Sequence, residues 1–484
     1  MCRTQRASYR GFTPPALVFF LAVPLLLTGC AVGPRFQTPR QSLPARFHAA
    51  PQDAAPLWPH KTWWHGFGSK ALDRLILAAE QRNFSIRVAV AQLQAANAQA
   101  EVAGAPLLPA VNASGNAQWQ RTRQGLLTAG GGASRSPLYG ASVQASYELD
   151  FWGKNRDALR AALADAAASR FNRDTVALST LSSVATTWFQ ILADRAALSI
   201  GLRNLHAARR LLRQFKAQFK AGTVDIVTVA QQSALVASER ANIPILRSNL
   251  GQETLSLGLL VGQLPEDVVV PRGHIEDLNV PPLEAGLPSG LLTRRPDVAQ
   301  ARAQLISANA RVRGAIAAFF PTISLTGSAS TSSAALHTLL QPGSLLESAA
   351  SSLSQPLFEG GALTGQLAVS RATYREYVVL YEEAVVRAFT DVETSLTAFH
   401  YAQIQARRAA EAVREARKAL TAVKAQLQAG IIDVSVVLTA EQTLLSNENA
   451  YTQAQLAHLD DAVKLYEALG GGWHVPTPST PAGS

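Results

Sequence analysis

Between Val111 and Gln120 the chain alternates. Val111, Ala113, Gly115, Ala117 and Trp119 are apolar or small, and Asn112, Ser114, Asn116, Gln118 and Gln120 between them are polar. The period returns from Tyr139 to Asp150, where Ala141, Val143, Ala145, Tyr147 and Leu149 alternate with Ser142, Gln144, Ser146 and Glu148. A third run sets Ile323, Leu325, Gly327 and Ala329 against Thr322, Ser324, Thr326, Ser328 and Ser330. A fourth, over Leu346–Leu357, alternates weakly. Period two places successive side chains on opposite faces of a strand. The pattern therefore predicts strands at about 110–121, 139–150, 321–331 and 346–357. One face is apolar and the other carries hydroxyls and amides with few charges, which is the pattern of a membrane barrel with a wet lumen. Trp119, Tyr139, Tyr147, Trp152, Phe320 and Phe358 fall near strand ends, where interfacial aromatics belong. A soluble sandwich would need many more strands.

Two long stretches lack helix breakers. No proline occurs between Pro137 and Pro244 or between Pro356 and Pro476. Only Gly201 interrupts Gly153 to Gly222, and only Gly365 interrupts Ala362 to Gly430. Both windows are rich in Ala, Leu, Arg, Gln and Glu, which favour helix. About seventy residues at 1.5 Å each make a helix of roughly 100 Å. Leu181, Val184, Trp188 and Ile191, and Val385, Phe389, Val392, Leu396 and Phe399, recur in steps of three and four, as in helices packed lengthwise.

The chain also repeats itself. Ala91–Ala98 matches Ala303–Ala310, and the same offset of 212 (303 less 91) carries Pro109 onto Pro321 and Gly115 onto Gly327. Phe219–Gly222 with Asp225 matches Leu427–Gly430 with Asp433, and Leu260-Val261-Gly262 matches Ala468-Leu469-Gly470, now at an offset of 208 (430 less 222). Two nearly constant offsets mark a duplication in which each half reads helix, strand pair, very long helix, turn, helix. Four strands cannot close a barrel, and an open sheet edge in lipid leaves backbone groups unpaired at several kcal/mol each. Strands must then be pooled from several copies. Eight would leave an interior mostly filled by side chains. Three copies, twelve strands in all, make the smallest trimeric barrel with room for a channel.

Composition adds less. The 484 residues are 48% apolar and 16% charged, which suits a folded protein, and the formal net charge is +10. No basic run is interleaved with aromatics, so the balance does not point to nucleic acid. The first residues carry Arg3, Arg6 and Arg10, then a short apolar run broken by Pro15 and Pro24, then Leu27-Thr28-Gly29-Cys30. This has the layout of an export signal rather than a spanning helix. Its end resembles the lipobox of bacterial lipoproteins, which implies cleavage before Cys30 and acylation there. Loss of the three arginines leaves the mature chain near +7 (10 less 3). Ala31 in the next position favours, by the same resemblance, the outer over the inner membrane. Several acyl chains hold firmly where one is marginal. Cys2 and Cys30 are the only cysteines and Cys2 lies in the leader, so no disulfide framework exists.

Further motifs carry a resemblance along the whole mature chain. They are Val32-Gly33-Pro34, Trp63-Trp64-His65-Gly66-Phe67, Tyr147-Glu148-Leu149-Asp150-Phe151-Trp152-Gly153, Arg294-Arg295-Pro296-Asp297-Val298, Phe319-Phe320-Pro321-Thr322 and Leu465-Tyr466-Glu467-Ala468-Leu469-Gly470-Gly471-Gly472-Trp473. In these the sequence resembles the outer-membrane factor family, the TolC-like efflux channels. It is most similar to the lipoprotein, NodT-type members serving resistance-nodulation-division (RND) pumps. The resemblance implies a mainly α fold with a membrane β-barrel: a trimeric, 12-stranded barrel with four strands per chain, above a long periplasmic helical tunnel built from two repeats. It implies a homotrimer in outer-membrane lipid, docked to a periplasmic adaptor and through it to a proton-driven inner-membrane pump. The component moves solutes passively and needs no cofactor beyond the lipid on Cys30.

The expected organisation is a signal peptide over 1–29, a lipid-anchored segment over 30–70, a first efflux repeat over 71–264, a connector over 265–289, a second repeat over 290–473 and a flexible tail over 474–484. The family closes its periplasmic tip at the turn after the second long helix. Here that stretch holds Gln428, Asp433, Thr439 and Glu441, with Asp225 at the matching turn of the first half. Many members carry an Asp where Thr439 stands and a basic partner near Gln428, and neither charge is present. Closure then falls to an apolar constriction, or to Asp433, Glu441 and Lys220, while Asp225 and Asp433 also suit helix N-caps. No P-loop, His-Glu-x-x-His or Gly-x-Ser-x-Gly occurs, and nine scattered histidines lack ligand spacing, so neither an enzyme nor a metal site is expected. A secretion or heavy-metal duct shares the fold and differs in partners. A non-conducting coiled-coil lipoprotein is the remaining alternative.

Overall fold

The computed structural model describes residues 32–41, 44, 46–48, 58–123, 133–282 and 288–474. The expected signal peptide, Cys30 and all but the first residue of the expected tail lie outside the described residues.

The main elements run in order α1 (Lys70–Arg82), α2 (Phe84–Gly104), β1 (Ala110–Arg123), β2 (Ala133–Leu149), α3 (Lys154–Lys220), α4 (Ile226–Leu260), α5 (Pro296–Ala317), β3 (Thr322–Ser333), β4 (Leu345–Ser354), α6 (Ala362–Gln428) and α7 (Val434–Ala468). The halves match in length as well as order. Helices α3 and α6 each have 67 residues, and α4 and α7 each have 35. Pairing carries β2 back to Ala133, opposite Arg123, well before the alternation begins. Pro137 is tolerated there because β3 pairs with β2 only from Tyr139 onward, so the missing N–H breaks no bond on that side. Strand β4 stops at Ser354, short of Pro356, which has no N–H to offer a ladder. Among the described residues between the halves are two single 3-10 turns, Pro265–Asp267 and Ile275–Asp277, and a helical turn at Pro288–Leu291. The expected connector is nonetheless tied in. Arg195 donates to the carbonyl of Pro271 at 2.6 Å, and Ile275 is fully buried.

The residues group into two compact units. The first comprises Met1–Thr38, Ala96–Ala166 and Gln304–Val378 and holds all four strands in one antiparallel sheet of order β1-β2-β3-β4. The second comprises Pro39–Ala95, Ala167–Ala303 and Val379–Ser484. Its core gathers Trp63, Trp64, Phe67, Trp188, Phe189, Leu459, Val463 and Tyr466. Trp63 stacks on Tyr466 with centroids 5.2 Å apart, and Phe67 meets Phe189 at 5.0 Å. Burying each such side chain contributes roughly 1.5–3 kcal/mol. The Trp63–Phe67 motif is thus a plug in this core, closed by Gly68 in the left-handed conformation.

Candidate functional site

Two surfaces carry the chemistry: the polar face of the sheet and the two turns that join long helices to their partners. On the sheet, the register aligns Asn112, Gln144, Ser328 and Ser348 across all four strands. Serine pairs bridge neighbouring strands, Ser114 to Ser142 at 2.8 Å, Ser324 to Ser352 at 2.6 Å and Ser328 to Ser348 at 2.8 Å. Hydroxyls satisfied by each other form a wettable face with little fixed charge; Glu148, opposite Ser324, is a charged residue on it and pairs with Lys154 at 3.0 Å. The opposite face aligns Val111, Ala145, Gly327 and Ala349, and then Ala113, Val143, Ala329 and Glu347. Glu347 is a charged departure from the apolar pattern, three residues into β4 and near its loop end, and Thr331 and Ser351 are polar positions on the same face. Strand β1 from Ala110 to Trp119 and all of β4 are exposed, whereas β2 from Pro137 onward and β3 are mostly half-buried. These are the two edges, and each has an unpaired side among the described residues.

Where β2 ends, the motif Glu148–Gly153 turns the chain into α3. Asp150 accepts from the backbone N–H groups of Asn155 at 3.0 Å and Arg156 at 2.8 Å, and it pairs with the Arg156 guanidinium at 3.1 Å. That arrangement satisfies donors that a helix start leaves free. Gly153 takes φ 85° at the corner. Trp152 stacks on Phe320 at 4.7 Å, and its indole N–H donates to the carbonyl of Pro321 at 2.9 Å. The aromatic pair therefore marks the ends of β2 and β3, at the position of an interfacial belt.

The two turns are built alike. Gly222 and Gly430, at φ 72° and 71°, close α3 and α6. The N–H groups of Gly222 and Thr223 reach Phe219 and Gln218, and those of Gly430 and Ile431 reach Leu427 and Gln426. This double bond pattern consumes helix-end carbonyls and requires the left-handed residue that glycine supplies. Asp225 then accepts from the Thr228 N–H at 2.8 Å and its hydroxyl at 2.7 Å, and these bonds hold its carboxyl below the usual aspartate range. Asp433 accepts from the Ser435 N–H at 2.9 Å. Gln428 is the last residue of α6 and is exposed. Thr439 is exposed one turn into α7, its hydroxyl given to the Ser435 carbonyl at 3.0 Å. Glu441 meets not Lys220 but Lys424 of α6, at 2.9 Å. Lys424 was not among the residues singled out from the sequence. Only the helical phase of α6 against α7 could have pointed to it.

Farther along the second unit, Arg295 is 8% exposed and is gripped by Asp297 at 2.6 Å and Asp391 at 2.9 Å. It also reaches the carbonyls of Ala388 and Ala468. Burial works against its charge, but the two carboxylates more than offset this and raise its pKa. Glu448 pairs with Arg203 at 3.4 Å and Arg417 at 2.7 Å, linking α3, α6 and α7. These ion pairs hold the helices of the second unit, and in the first unit the hydroxyl-lined sheet face offers hydrogen bonds to a solute.

A model of the family described as outer membrane efflux protein matches residues 75–263 and 287–471, one segment per half. The pyoverdine export outer membrane protein OpmQ of Pseudomonas aeruginosa is 36% identical, covering 85% of this chain and 88% of its own. The cation efflux system protein CusC of Escherichia coli is 27% identical, over 95% of this chain and all of its own. Among solved structures, the outer-membrane channel OprN aligns with a TM-score of 0.85 at 25% identity, over 92% of this chain and 100% of that one. The open state of the MtrE outer-membrane channel of Neisseria gonorrhoeae aligns at 0.82 and 30%, over 92% and 98%. The chain therefore belongs to the outer membrane efflux protein family, a family of trimeric outer-membrane transport channels that work with pump components, and not a family of enzymes.

Proposed function

We propose that this outer-membrane efflux channel is the passive exit duct for small organic solutes handed to it by a periplasmic adaptor and a proton-driven inner-membrane pump of the RND class. The observation that carries this is the sheet with one apolar face and one face of mutually bonded serines. Such a face offers hydrogen bonds along a path without a deep charged trap, so a neutral or zwitterionic molecule can both enter and leave. The pyoverdine exporter among the relatives fits an organic rather than a metallic cargo. Acyl chains on Cys30 tether the channel. The periplasmic end closes at the turn Leu427–Gln442, with the Lys424–Glu441 pair inside one chain in place of a latch through Gln428 and Thr439.

Purified trimer in a planar bilayer is expected to conduct, and deletion of the gene to raise sensitivity to several exported organic compounds. A silent bilayer together with unchanged sensitivity would refute the duct. Co-purification from crosslinked cells names the pump. A cation pump or a secretion ATPase recovered in its place would replace the RND assignment. Cys30→Ser should abolish lipid labelling while leaving assembly intact.

A further inference from the structure

The first unit contains a cavity of about 820 Å³ lined by Arg35, Gln37, Asn309, Arg371, Tyr374 and Arg375, and by no carboxylate. Its size falls within the range of small-molecule sites. Arg371 and Arg375 stand one helical turn apart on α6, and Arg35 comes from the extended segment near the start of the described chain. None of the three guanidiniums has an ion-pair partner among the described residues. The contrast is with α5 beside them, where Arg311 meets Asp165 at 2.7 Å and Arg313 meets Asp157 at 3.2 Å. Like charges four residues apart weaken a helix unless something neutralises them. What this cluster lacks is an anion.

We propose that the cavity binds the phosphate-bearing headgroup of an anionic phospholipid from the periplasmic leaflet of the outer membrane. Guanidinium forks match phosphate oxygens two at a time, and the Tyr374 hydroxyl and Gln37 amide add neutral donors. Basic pockets between helices of membrane proteins take such headgroups. The position fits a lipid. The Val32 N–H donates to the carbonyl of Trp152 at 3.5 Å, and Trp152 stacks on Phe320 at the strand ends, where an aromatic belt lies level with headgroups. Arg35 is three residues from Val32, so its backbone lies at most about 11 Å from that level. The site uses residues of the folded chain and does not depend on acylation of Cys30.

The test is native mass spectrometry of the delipidated full-length trimer, given phosphatidylglycerol, phosphatidylcholine or inorganic phosphate in turn. Saturable binding of phosphatidylglycerol is expected, with little of phosphatidylcholine and no competition by millimolar phosphate. The double variant Arg371→Gln/Arg375→Gln should weaken that binding about tenfold or more, since each charge-assisted bond lost is worth that much. Arg408→Gln, which removes a charge outside the cavity, should leave it unchanged. If the double variant fails to assemble, Arg35→Gln carries the same comparison, because Arg35 lies outside any helix. Equal retention of phosphatidylglycerol by wild type and assembled variants overturns the proposal. Competition by phosphate as effective as by lipid also overturns it, in favour of a soluble anion.

Discussion

Arg295 shows what a single buried charge does here. Its guanidinium binds two carboxylates and two carbonyls contributed by separate stretches of chain, so it fixes where α5 begins against α6 and the end of α7. Arg295→Met should cost about 3 kcal/mol, the lower end for breaking a buried pair, because Asp297 and Asp391 keep partial access to water. A thermal melt of the trimer unchanged from wild type would contradict that role. The glycine at 470 belongs to the same corner, since a Cβ there would overlap the Arg294 carbonyl oxygen. Asp225 is a residue of another kind, exposed and held below the usual aspartate range by its bonds to Thr228. Its folded pKa is depressed, so its contribution is fully present above the unfolded value of about 3.9 and is lost as pH falls through the folded value. Asparagine caps as well as aspartate but does not titrate. Asp225→Asn should therefore match wild type in melting temperature and conductance at pH 7, and lose less of its tip helicity on acidification. A large conductance change at pH 7 would instead make the Asp225 charge part of the gate.

At the scale of elements, the strands test which face meets lipid. Val143 lies in the row Ala113–Val143–Ala329, and Ser142 lies one residue away on the hydroxyl face. A lysine facing lipid costs roughly 2–4 kcal/mol at mid-membrane, whereas one facing water in the lumen costs little. Val143→Lys should cut the yield of heat-modifiable trimer, while Ser142→Lys assembles and shifts ion selectivity toward anions. The opposite pair of results would reverse the faces. The long helices depend less on any one side chain. Their caps, Gly222 with Asp225 and Gly430 with Asp433, recur at an offset of 208 (430 less 222), so the duplication copied the turns along with the helices.

For the molecule as a whole, the decisive feature is an open four-stranded sheet. Its edges β1 and β4 are three strand spacings apart, roughly 14 Å. That is twice the reach of a disulfide. Cysteines placed on β1 at Ala113 and on β4 at Ala349 or Ser351 therefore cannot bridge within a chain. In an assembled barrel, where β1 of one copy lies beside β4 of the next, oxidation should give covalent dimers and trimers for at least one pairing. A ladder that stops at monomer in every pairing would rule out closure through these edges.

What the amino-acid sequence determined by itself is whatever repeats over a few residues or is copied whole. Apolar or small residues alternating at period two with hydroxyl and amide residues identify the strands, and the breaker-free windows identify α3 and α6. The two offsets announce that the halves match, which the long helices and their partners do to the residue in length. These signals are local because side-chain direction follows backbone period. Even so, β2 reaches back past its alternating stretch to Ala133, because pairing with β1 rather than side-chain pattern sets where it begins. Tertiary structure alone decided the rest: Asp391 as a partner for Arg295, Lys424 rather than Lys220 for Glu441, and the meeting of Arg35 with Arg371 and Arg375. These pairings join residues on different elements or segments. The periodicity of one element alone does not encode them, because they depend on the rotation of one packed helix or segment against another.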